Sequence, residues 1–397
     1  MTYATENQEP SIAVPSRPLP WWARPFRSLR HRDYRFLWLG QVVQSEGQWM
    51  EQVARGYLLY EMTHDPFVLG MYGMLRSLPP LALALPAGVL SDRVNRLIMI
   101  QSSQISACVM AFMFAVLVQT DVIDVWMILA FGFANGAAEV MRQPSRQALL
   151  SNLVPGHDIM NAVAMNEVAQ YTMRILGPVL AGMMIGPFGV AGVFYVRGCL
   201  YLFAVIVTAM IRAPLVSPQT GNRNMFQSAG DTFGYLKRNP VLLALVLMGV
   251  IPAVVGQPYQ YLMPVFAIDV FNVGAEGLGV LTASAGVGAL AGALLLASLG
   301  NIKRMGLILI GSLFSYGGAL IFFGMTPVFA LALLALLALG ASQAMFLAMR
   351  QTLVQLLVRD ELRGRVFSMV QLTRGTLSPI GSVLAGVWPA SSVRPSP

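Results

Sequence analysis

The stretch "GVLSDRVNR" (residues 88–96) places one Asp and two Arg between two of the most apolar runs in the chain. Across the 397 residues, 56% are hydrophobic and only 11% are charged, and the mean hydropathy is +0.64. A soluble globular domain carries about 25% charged residues. The charged fraction is therefore too low for a large soluble protein, and it fits a chain whose surroundings are mostly lipid.

The formal net charge of +8 raises the question of a nucleic-acid partner. Such a partner needs basic residues gathered in a patch on a folded surface, whereas here they fall in short gaps between apolar runs. This distribution argues against nucleic acid and indicates membrane topology. The two cysteines, Cys108 and Cys199, both lie inside apolar runs. We interpret them as buried thiols, not as a disulfide or a metal pair.

Eleven apolar runs are long enough to cross a membrane, since a spanning helix needs about 20 mainly apolar residues. They lie at 36–62, 66–90, 97–118, 123–149, 159–186, 188–212, 240–268, 275–299, 304–324, 326–349 and 363–388. All should be helices, because lipid offers no hydrogen-bond partner to an unpaired backbone group. The predicted fold class is an all-α, polytopic membrane bundle.

The distribution of Lys and Arg predicts how the bundle is oriented. Every Lys and Arg of the connections lies in the N-terminal flank or in an even-numbered connection, while the ionisable residues of the odd-numbered connections are acidic apart from one His. Basic connections stay in the cytoplasm, so the N-terminus is predicted to be cytoplasmic. Residues 1–35 lack the apolar core and cleavage site of a signal peptide. They are predicted to be a cytoplasmic tail.

The two halves of the chain repeat. "RQALLSNLV" (146–154) aligns with "RQTLVQLLV" (350–358), and the same offset places Gly177 on Gly381 and Gly182 on Gly386. The predicted domains are the tail (1–35), a six-helix half (36–212), a cytoplasmic linker (213–239), a second half of five spans (240–388) and a polar tail (389–397). A twelfth span is missing from this prediction, and the change to "PASSVRPSP" suggests a truncated or frameshifted end.

Two parallel helical halves and the opening stretch together resemble the major facilitator superfamily of transporters. The stretch is similar to that family's signature between the second and third helices, with Gly88, Asp92, Arg93 and Arg96 in the matching places. "SLGNIKRMG" in the second half resembles a degraded copy. "LRHRDYRFLWLGQ", "GPVLAG" and "ELRGRVFS" further resemble the branch that contains the enterobactin exporter and drug–proton antiporters.

The resemblance implies two halves of six helices, alternating access and a latch between the halves. In the family, the signature Asp interacts with the N-terminal end of the eleventh helix, whose dipole favours an anion. Asp92 would then face the start of a helix near 361–365, while Gly88 permits close helix approach and Arg93 and Arg96 anchor the cytoplasmic face. The alternative is that Asp92 only caps a loop.

Polar residues inside spans are costly and therefore informative. The first helix carries a stripe within an arc of roughly 80° at about 100° per residue. Its members are Gln41, Gln44, Gln48, Gln52 and Arg55. Glu51 borders the stripe and can pair with Arg55 one turn on. The stripe is expected to line a polar cavity, the alternative being hydrogen bonding between helices. Glu46 lies on the other side of the helix and has no assigned role.

The fourth and fifth helices each carry a second polar face. One face holds Asn135, Glu139, Arg142 and Arg146, and the other holds Glu167, Gln170 and Arg174. Asn135, Gln170 and Arg174 are predicted to line the substrate cavity. The "GPVLAG" stretch, with Gly177, Pro178 and Gly182, resembles the antiporter motif of export families. A Gly-Pro pair can also be a kink or a tight packing site.

The seventh span, "IPAVVGQPYQYLMP" (251–264), contains three prolines that should break the helix, as transporter sites require. Its amide and aromatic groups suit a mixed polar and apolar organic ligand, which makes Gln257, Gln260 and Tyr261 candidate cavity residues. An aromatic belt at the membrane interface is the alternative. Three further arginines lie inside predicted spans, at Arg76, Arg197 and Arg374. Their excess over deep acids indicates an anionic or polar substrate.

Energy for transport is predicted to come from a proton gradient. The chain has no GxxxxGK[ST] loop for ATP, and it shows no metal cluster, cofactor motif or hydrolase constellation, so it is not expected to be an enzyme. Coupling needs a carboxylate whose protonation changes with access, and the candidates are Glu139, Glu51 and Glu167, in that order. The Arg-x-x-Gln-Gly motif that export families carry on the fourth helix has no clear copy here.

The sequence thus predicts a multi-pass protein of the plasma membrane that exports a small organic molecule in exchange for protons, working as a monomer in the lipid bilayer. Two alternatives stay open. One is an uptake symporter on the same fold, and the other is a non-transporting membrane sensor or a defunct paralogue.

Overall fold

The structure is a computed structural model. It describes residues 21–93, 95–212, 237–256, 258–299 and 304–358, together with residues 234 and 381. The predicted linker (213–239), the eleventh span (363–388) and the tails (1–35 and 389–397) therefore lie wholly or largely outside the described residues.

The first half consists of five long helical elements. They are α1 (Arg32–Thr63), α2 (Pro66–Arg93), α3 (Arg96–Gln119), α4 (Val125–Leu153) and α5 (Ile159–Ala209). Two short 3₁₀ segments, Trp21–Arg30 and Gly156–Asp158, precede α1 and α5. Local chemistry sets several of these ends. The Asp124 carboxylate accepts a hydrogen bond from the backbone N–H of Val125, and the Asn95 amide caps α3 through the N–H of Leu97.

The long element α5 contains two predicted spans that run in opposite directions. Gly189 breaks it with φ +64°, a conformation that a residue with a Cβ rarely adopts. The first arm (159–188) runs parallel to α1, so that Tyr34 reaches Ala162 and Trp38 reaches Met165. The second arm (190–209) returns antiparallel, and Thr208 lies beside Gly40 near the start of α1. One glycine therefore divides the fifth and sixth spans.

The described part of the second half begins with an interrupted helix. Its pieces are α6 (Pro240–Met248), a π-helical turn (Pro252–Gly256), α7 (Tyr259–Val265) and a second π-helical turn (Phe266–Val270). Pro252 and Pro258 lie at these interruptions, because proline has no N–H to donate to the preceding turn. Three continuous helices follow, namely α8 (Gly274–Ser298), α9 (Met305–Met325) and α10 (Phe329–Leu357).

Six helical segments of the described residues are long and apolar enough to cross a bilayer. They are Arg96–Gln119, Gly156–Ala209, Pro240–Val270, Gly274–Ser298, Met305–Met325 and Phe329–Leu357. The 54-residue segment bends at Gly189 and supplies two crossings. Helices α1, α2 and α4 pack in the same bundle and share its core. The predicted all-α membrane bundle is confirmed.

The two ends of the bundle differ in charge. The end where α1 begins, called here the basic end, gathers the starts of α1, α3 and α5 with the end of α4 around Tyr34, Leu37 and Ile100. The opposite end, called here the acidic end, carries Glu61, Asp65, Asp121, Asp124, Asp269 and Glu276. The chain therefore alternates between ends from helix to helix, as the spacing of its apolar runs predicts.

The halves pack against each other through the first arm of α5 and helix α8. A Cβ placed on Gly182 would lie 2.7 Å from the carbonyl oxygen of Ala275, and one on Gly279 would lie 2.5 Å from that of Pro178. Real Cβ atoms do not approach oxygen so closely, so only glycine fits at these two positions. Small residues bring the backbones together here, which is the usual basis of helix association in lipid.

Buried apolar side chains show where the halves meet. The largest cluster lies toward the acidic end and includes residues of both halves, such as Tyr60 and Phe114 with Met263 and Phe323. Toward the basic end the described residues form two separate clusters. One, around Leu37, belongs to the first half, and the other contains only second-half residues (Leu242, Leu245, Val246, Leu309, Phe346, Met349, Val354 and Val358). Among the described residues, the apolar contact between the halves is therefore concentrated at the acidic end.

Candidate substrate and coupling site

A buried ion-pair network occupies the middle of the first half. The Glu51 carboxylate lies 2.5 Å from Nη2 of Arg55 on the same helix and 2.6 Å from Nη2 of Arg197 on the second arm of α5. Each of these three residues is only 1% exposed. The pairing expected between Glu51 and Arg55 one turn apart is present, and Arg197 adds a partner 146 residues away in the chain. The Glu51 carboxylate therefore forms ion pairs with two guanidinium groups at once.

A third arginine adjoins this network through a shared phenol. Arg55 Nη1 donates to the Tyr72 hydroxyl at 3.0 Å, and Arg76 Nη1 donates to the same oxygen at 3.3 Å. The two cationic groups are thus within about 6 Å of each other, where they repel by about 3 kcal/mol at an effective dielectric of about 20. The Arg55 guanidinium also lies over the rings of Phe114 and Phe194, at 5.0 and 5.5 Å. Those ring faces offset part of the repulsion.

Helix α4 contributes to the same network through Asn135. Arg197 Nη2 donates to Asn135 Oδ1 at 3.0 Å, and Asn135 Nδ2 donates to the carbonyl of Phe131 at 2.9 Å. The Arg197 guanidinium also lies 5.0 Å from the ring centre of Tyr201. Nevertheless, Nε and Nη1 of Arg197 are buried without a hydrogen-bond acceptor among the described residues. The described protein atoms therefore leave two hydrogen-bond donors of Arg197 without an acceptor. A buried donor without an acceptor lowers stability.

A cavity of ≈ 20 Å³ opens beside these groups. That volume has room for about one water-sized sphere. Its polar lining comes from α1, α2, α3, α4 and the second arm of α5, and it includes Gln44, Gln48, Glu51, Arg76, Ser103, Asn135, Glu139 and Arg197. Candidate residues from four separate stretches of sequence therefore meet in one polar cavity inside the first half.

The amide stripe of α1 divides into three parts. Toward the basic end, Gln41 Oε1 accepts from Arg142 Nη1 at 3.3 Å, and Gln44 Oε1 accepts from Gln104 Nε2 at 3.3 Å. Gln104 in turn accepts from the Thr208 hydroxyl at 2.8 Å. These bonds join α1 to α3, α4 and α5, which is the alternative that sequence reasoning left open. Gln44 also lines the cavity, whereas the cavity role of Gln41 stays a prediction without a contact to support it.

The stripe then reaches two different spaces. Gln48 lines the cavity of the first half. Gln52, one turn further on, lines a second cavity of ≈ 20 Å³ between the halves, together with Gln260 and Tyr261 of α7. The Tyr72 and Tyr261 rings meet edge to face across this boundary with centres 6.2 Å apart. Gln52, Gln260 and Tyr261 therefore face each other from opposite halves.

The acids proposed for coupling lie in different surroundings. Glu139 is one-third exposed and forms an ion pair with Arg142, whose Nε donates to it at 2.9 Å. Arg146 follows one turn on and is mostly enclosed. Glu167 is exposed on α5. Glu46, which sequence reasoning left without a role, is 8% exposed, and neither carboxyl oxygen has a hydrogen-bond partner among the described residues.

The polar residues of the first arm of α5 approach the second half. Arg174 Nη2 donates to Gln343 Oε1 of α10 at 3.2 Å, and its guanidinium lies 5.4 Å from the ring centre of Trp49. Gln170 lies half-buried one turn earlier. Sequence reasoning missed Gln343, although an amide inside an apolar run was a usable signal. The repeat offset of 204 pairs Gln343 with Glu139.

The antiporter-like stretch is a packing site in this structure. A Cβ on Gly177 would lie 2.6 Å from the Cβ of Trp49 on α1, and Gly182 faces α8 of the other half. Pro178 supplies the carbonyl that Gly279 approaches. These contacts favour close packing between α1, α5 and α8, while an antiporter role for Gly177, Pro178 and Gly182 stays a prediction.

Part of the predicted site falls outside the described residues. Gln257 and Arg374 are not among the residues that the structure describes. Gly88, Asp92 and Arg93 belong to the last turns of α2, but the latch predicted for Asp92 rests on side chains and partner residues that the structure does not describe. Arg96 begins α3 directly after this connection.

Known proteins resemble this chain over nearly its whole length. The macrolide efflux protein A of Streptococcus pyogenes is 26% identical over 357 residues, which cover 89% of this chain and 88% of that protein. The staphyloferrin A transporter of Staphylococcus aureus is 23% identical over 349 residues, with 86% and 85% covered. The enterobactin exporter EntS of Citrobacter koseri is 23% identical over 360 residues, with 90% and 85% covered.

Solved structures share the fold at lower identity. A bacterial homologue of the human lysosomal transporter Spinster, in an inward-facing and unoccupied conformation, gives a TM-score of 0.71 at 17% identity, covering 93% of this chain and 83% of that one. A D-xylose–proton symporter gives 0.69 at 13% identity, with 92% of both chains covered. At these identities the likeness establishes the major facilitator fold alone.

The family itself follows from a direct match. The family model described as transmembrane secretion effector matches residues 23–393, which include both halves and the connection quoted at the outset. The chain therefore belongs to the transmembrane secretion effector family of major facilitator transporters.

Proposed function

We propose that the chain exports a small organic molecule across the plasma membrane by proton-coupled alternating access. The observation that carries this proposal is the buried polar network around Glu51, Arg55 and Arg197, because charge inside a membrane bundle is retained at substrate and ion pathways. Relatives that are named as exporters of a macrolide and of enterobactin support the direction of transport.

Alternating access would use the contact between halves described above. With the N-terminus in the cytoplasm, the acidic end faces outward and the basic end faces inward. Among the described residues, the halves share one apolar cluster at the outer end and have separate clusters at the inner end, which supports an inward-open state as part of this proposal. Tyr60 also donates a hydrogen bond to the Asp269 carboxylate across the halves at the outer end. Breaking these contacts would open the outer side.

Glu139 is the first candidate for proton coupling. It lines the polar cavity, one-third of its side chain is exposed, and its partner Arg142 also binds Gln41 of α1. Protonation of Glu139 would release Arg142 and so change how α4 is held against α1. Glu51, the second candidate, is enclosed between two arginines, and Glu167 is the third candidate. Both helical halves belong to the same chain, which supports the proposal that the working unit is a monomer.

Everted membrane vesicles test the proposal. Vesicles from cells that express the chain receive a proton gradient and a panel of macrolides and siderophores, and vesicles without the chain serve as the control. Accumulation that an uncoupler abolishes is expected. Accumulation that is insensitive to the uncoupler would contradict proton coupling, and uptake into right-side-out vesicles would support the symporter alternative.

Two matched variants locate the coupling acid. Glu139→Gln is expected to abolish transport driven by the proton gradient. The variant should still exchange substrate across the membrane when no gradient is present. Glu46→Gln, on the opposite side of α1, is expected to retain both. If Glu139→Gln keeps gradient-driven export and Glu46→Gln loses it, the coupling residue is not Glu139.

A further inference from the structure

The polar cavity of the first half contains more positive charge than its own residues neutralise. Arg55, Arg76 and Arg197 meet around Tyr72 and Glu51, and each guanidinium stays charged in proteins. Glu51 is the carboxylate that directly contacts this group, while Glu139 at the cavity wall is already paired with Arg142. Three positive charges against one negative charge leave an excess of two.

A second observation independently indicates a missing ligand. Arg197 is 1% exposed and lines the cavity, and its Nε and Nη1 find no hydrogen-bond acceptor among the described residues. Its Nη2 is already used by Glu51 and Asn135. Buried guanidinium donors are normally satisfied, because an unpaired one loses its hydration without replacement.

The arrangement of donors matches a compact anion. Arginine presents N–H groups in a planar fork that fits the two oxygens of a carboxylate. Arg76 and Arg197 line the cavity from two different elements, and Gln48 and Asn135 add amide groups to the same lining. The cavity of ≈ 20 Å³ admits one small charged group, so the rest of a larger ligand would extend beyond it.

We propose that this cavity binds a carboxylate group of the exported molecule between Arg76 and Arg197. The inference rests on the proposed function, since it assigns the chemical class of the molecule that is carried. The bound carboxylate neutralises part of the excess positive charge and accepts hydrogen bonds from Nε and Nη1 of Arg197. The substrate is therefore an organic acid at neutral pH, and its uncharged amide binds poorly.

Equilibrium binding to the purified full-length chain tests this assignment. The midpoint of thermal unfolding is measured in lipid nanodiscs with increasing benzoate, benzamide or chloride, at an ionic strength held constant with a bulky sulfonate buffer salt. Benzoate is expected to raise the midpoint with saturation, and benzamide is expected to leave it unchanged. Arg76→Gln, which removes a half-buried arginine, should weaken benzoate binding by about tenfold or more, the usual effect of losing one charge-assisted hydrogen bond.

Two further variants keep the result interpretable. Arg212→Gln removes an exposed arginine just after the second arm of α5, outside this cavity, and it should keep the wild-type response to benzoate. Arg76→Lys retains the charge and should bind more tightly than Arg76→Gln. The assignment is overturned by an absent response of the wild-type chain to benzoate, by a response to chloride alone, or by an equal loss in Arg76→Gln and Arg212→Gln.

This binding measurement is separate from export. It uses no gradient and no membrane flux, so saturable benzoate binding in a chain that fails to export supports the site while refuting the transport proposal. Export of uncharged molecules by a chain that does not bind benzoate supports transport while refuting the site.

Discussion

Replacing Glu51 with Gln should show how much the stability of the first half depends on this buried carboxylate. Glu51 is enclosed between Arg55 at 2.5 Å and Arg197 at 2.6 Å, and all three side chains are buried. Removing one partner of a buried ion pair costs about 3–5 kcal/mol, because the remaining charge stays buried without compensation. Here two guanidinium groups lose their counter-charge, so we expect a loss of unfolding free energy toward the upper part of that range.

The measurement is unfolding of the purified chain in mixed micelles titrated with a denaturing detergent. Glu61→Gln is the matched control, since Glu61 lies on the same helix but is exposed at the acidic end, and surface changes of this kind stay within about 0.5 kcal/mol. The double variant Glu51→Gln/Arg197→Gln completes a thermodynamic cycle. Removing both charges leaves Arg55 and Arg76 without a carboxylate but also removes the third guanidinium group, so the double variant should be more stable by about 2 kcal/mol than the sum of the losses in Glu51→Gln and Arg197→Gln alone.

Two outcomes would refute this reasoning. One is a Glu51→Gln chain as stable as wild type, and the other is a cycle in which the losses simply add. Wild-type stability combined with loss of gradient-driven export would instead move Glu51 to the first place among the coupling candidates. The cycle therefore distinguishes a carboxylate that holds the helices together from one that exchanges a proton.

Three further predictions concern contacts that hold the bundle together. Gly279→Val should force α5 and α8 apart, lower the unfolding free energy by about 1–3 kcal/mol and stop export, whereas Gly311→Val, in an open position on α9, should leave both unchanged in the same assays. Tyr60→Phe removes the hydrogen bond across the halves, worth about 1 kcal/mol, so spin labels placed on the acidic end of each half should report a larger outward-open population; an unchanged distance distribution would count against the contact. Asp158→Asn removes the ion pair at 2.7 Å to Arg27, so trypsin should cleave the N-terminal 3₁₀ segment faster, and equal cleavage rates would show that the pair does not hold it.

The helices of the fold could be predicted from the sequence because the residues that indicate each helix lie within that helix. An apolar run of about 20 residues is a property of one continuous segment and marks a spanning helix without reference to the rest of the fold. The observed helices α1 to α5, α8 and α9 accordingly follow the predicted runs within four residues at each end, whereas α10 continues eight residues beyond the predicted end at 349. The Glu51–Arg55 pair was also predictable, since residues four apart on a helix are neighbours.

The partners of the polar side chains were not predictable in the same way. The polar stripe on α1 was predicted, but the surroundings of its members depend on which helices lie alongside. Gln41 and Gln44 form hydrogen bonds between helices. Gln48 lines a cavity of the first half, and Gln52 lies at the boundary between the halves. Glu46 was passed over because helical spacing places it off the stripe and says nothing of what encloses it. Burial of a side chain is a property of its neighbours.

The sequence by itself determined that this chain is a membrane bundle with a basic and an acidic end, and its connection at 88–96 indicated the superfamily. Only the tertiary structure decided that Arg197 reaches Glu51, that Tyr60 meets Asp269 and that the glycines of α5 face α8. The physical reason is that lipid is as apolar as the helix surfaces it covers, so hydropathy does not distinguish a side that faces lipid from one that faces another helix. Shape and buried polar contacts make that distinction, and they exist only once the helices are assembled.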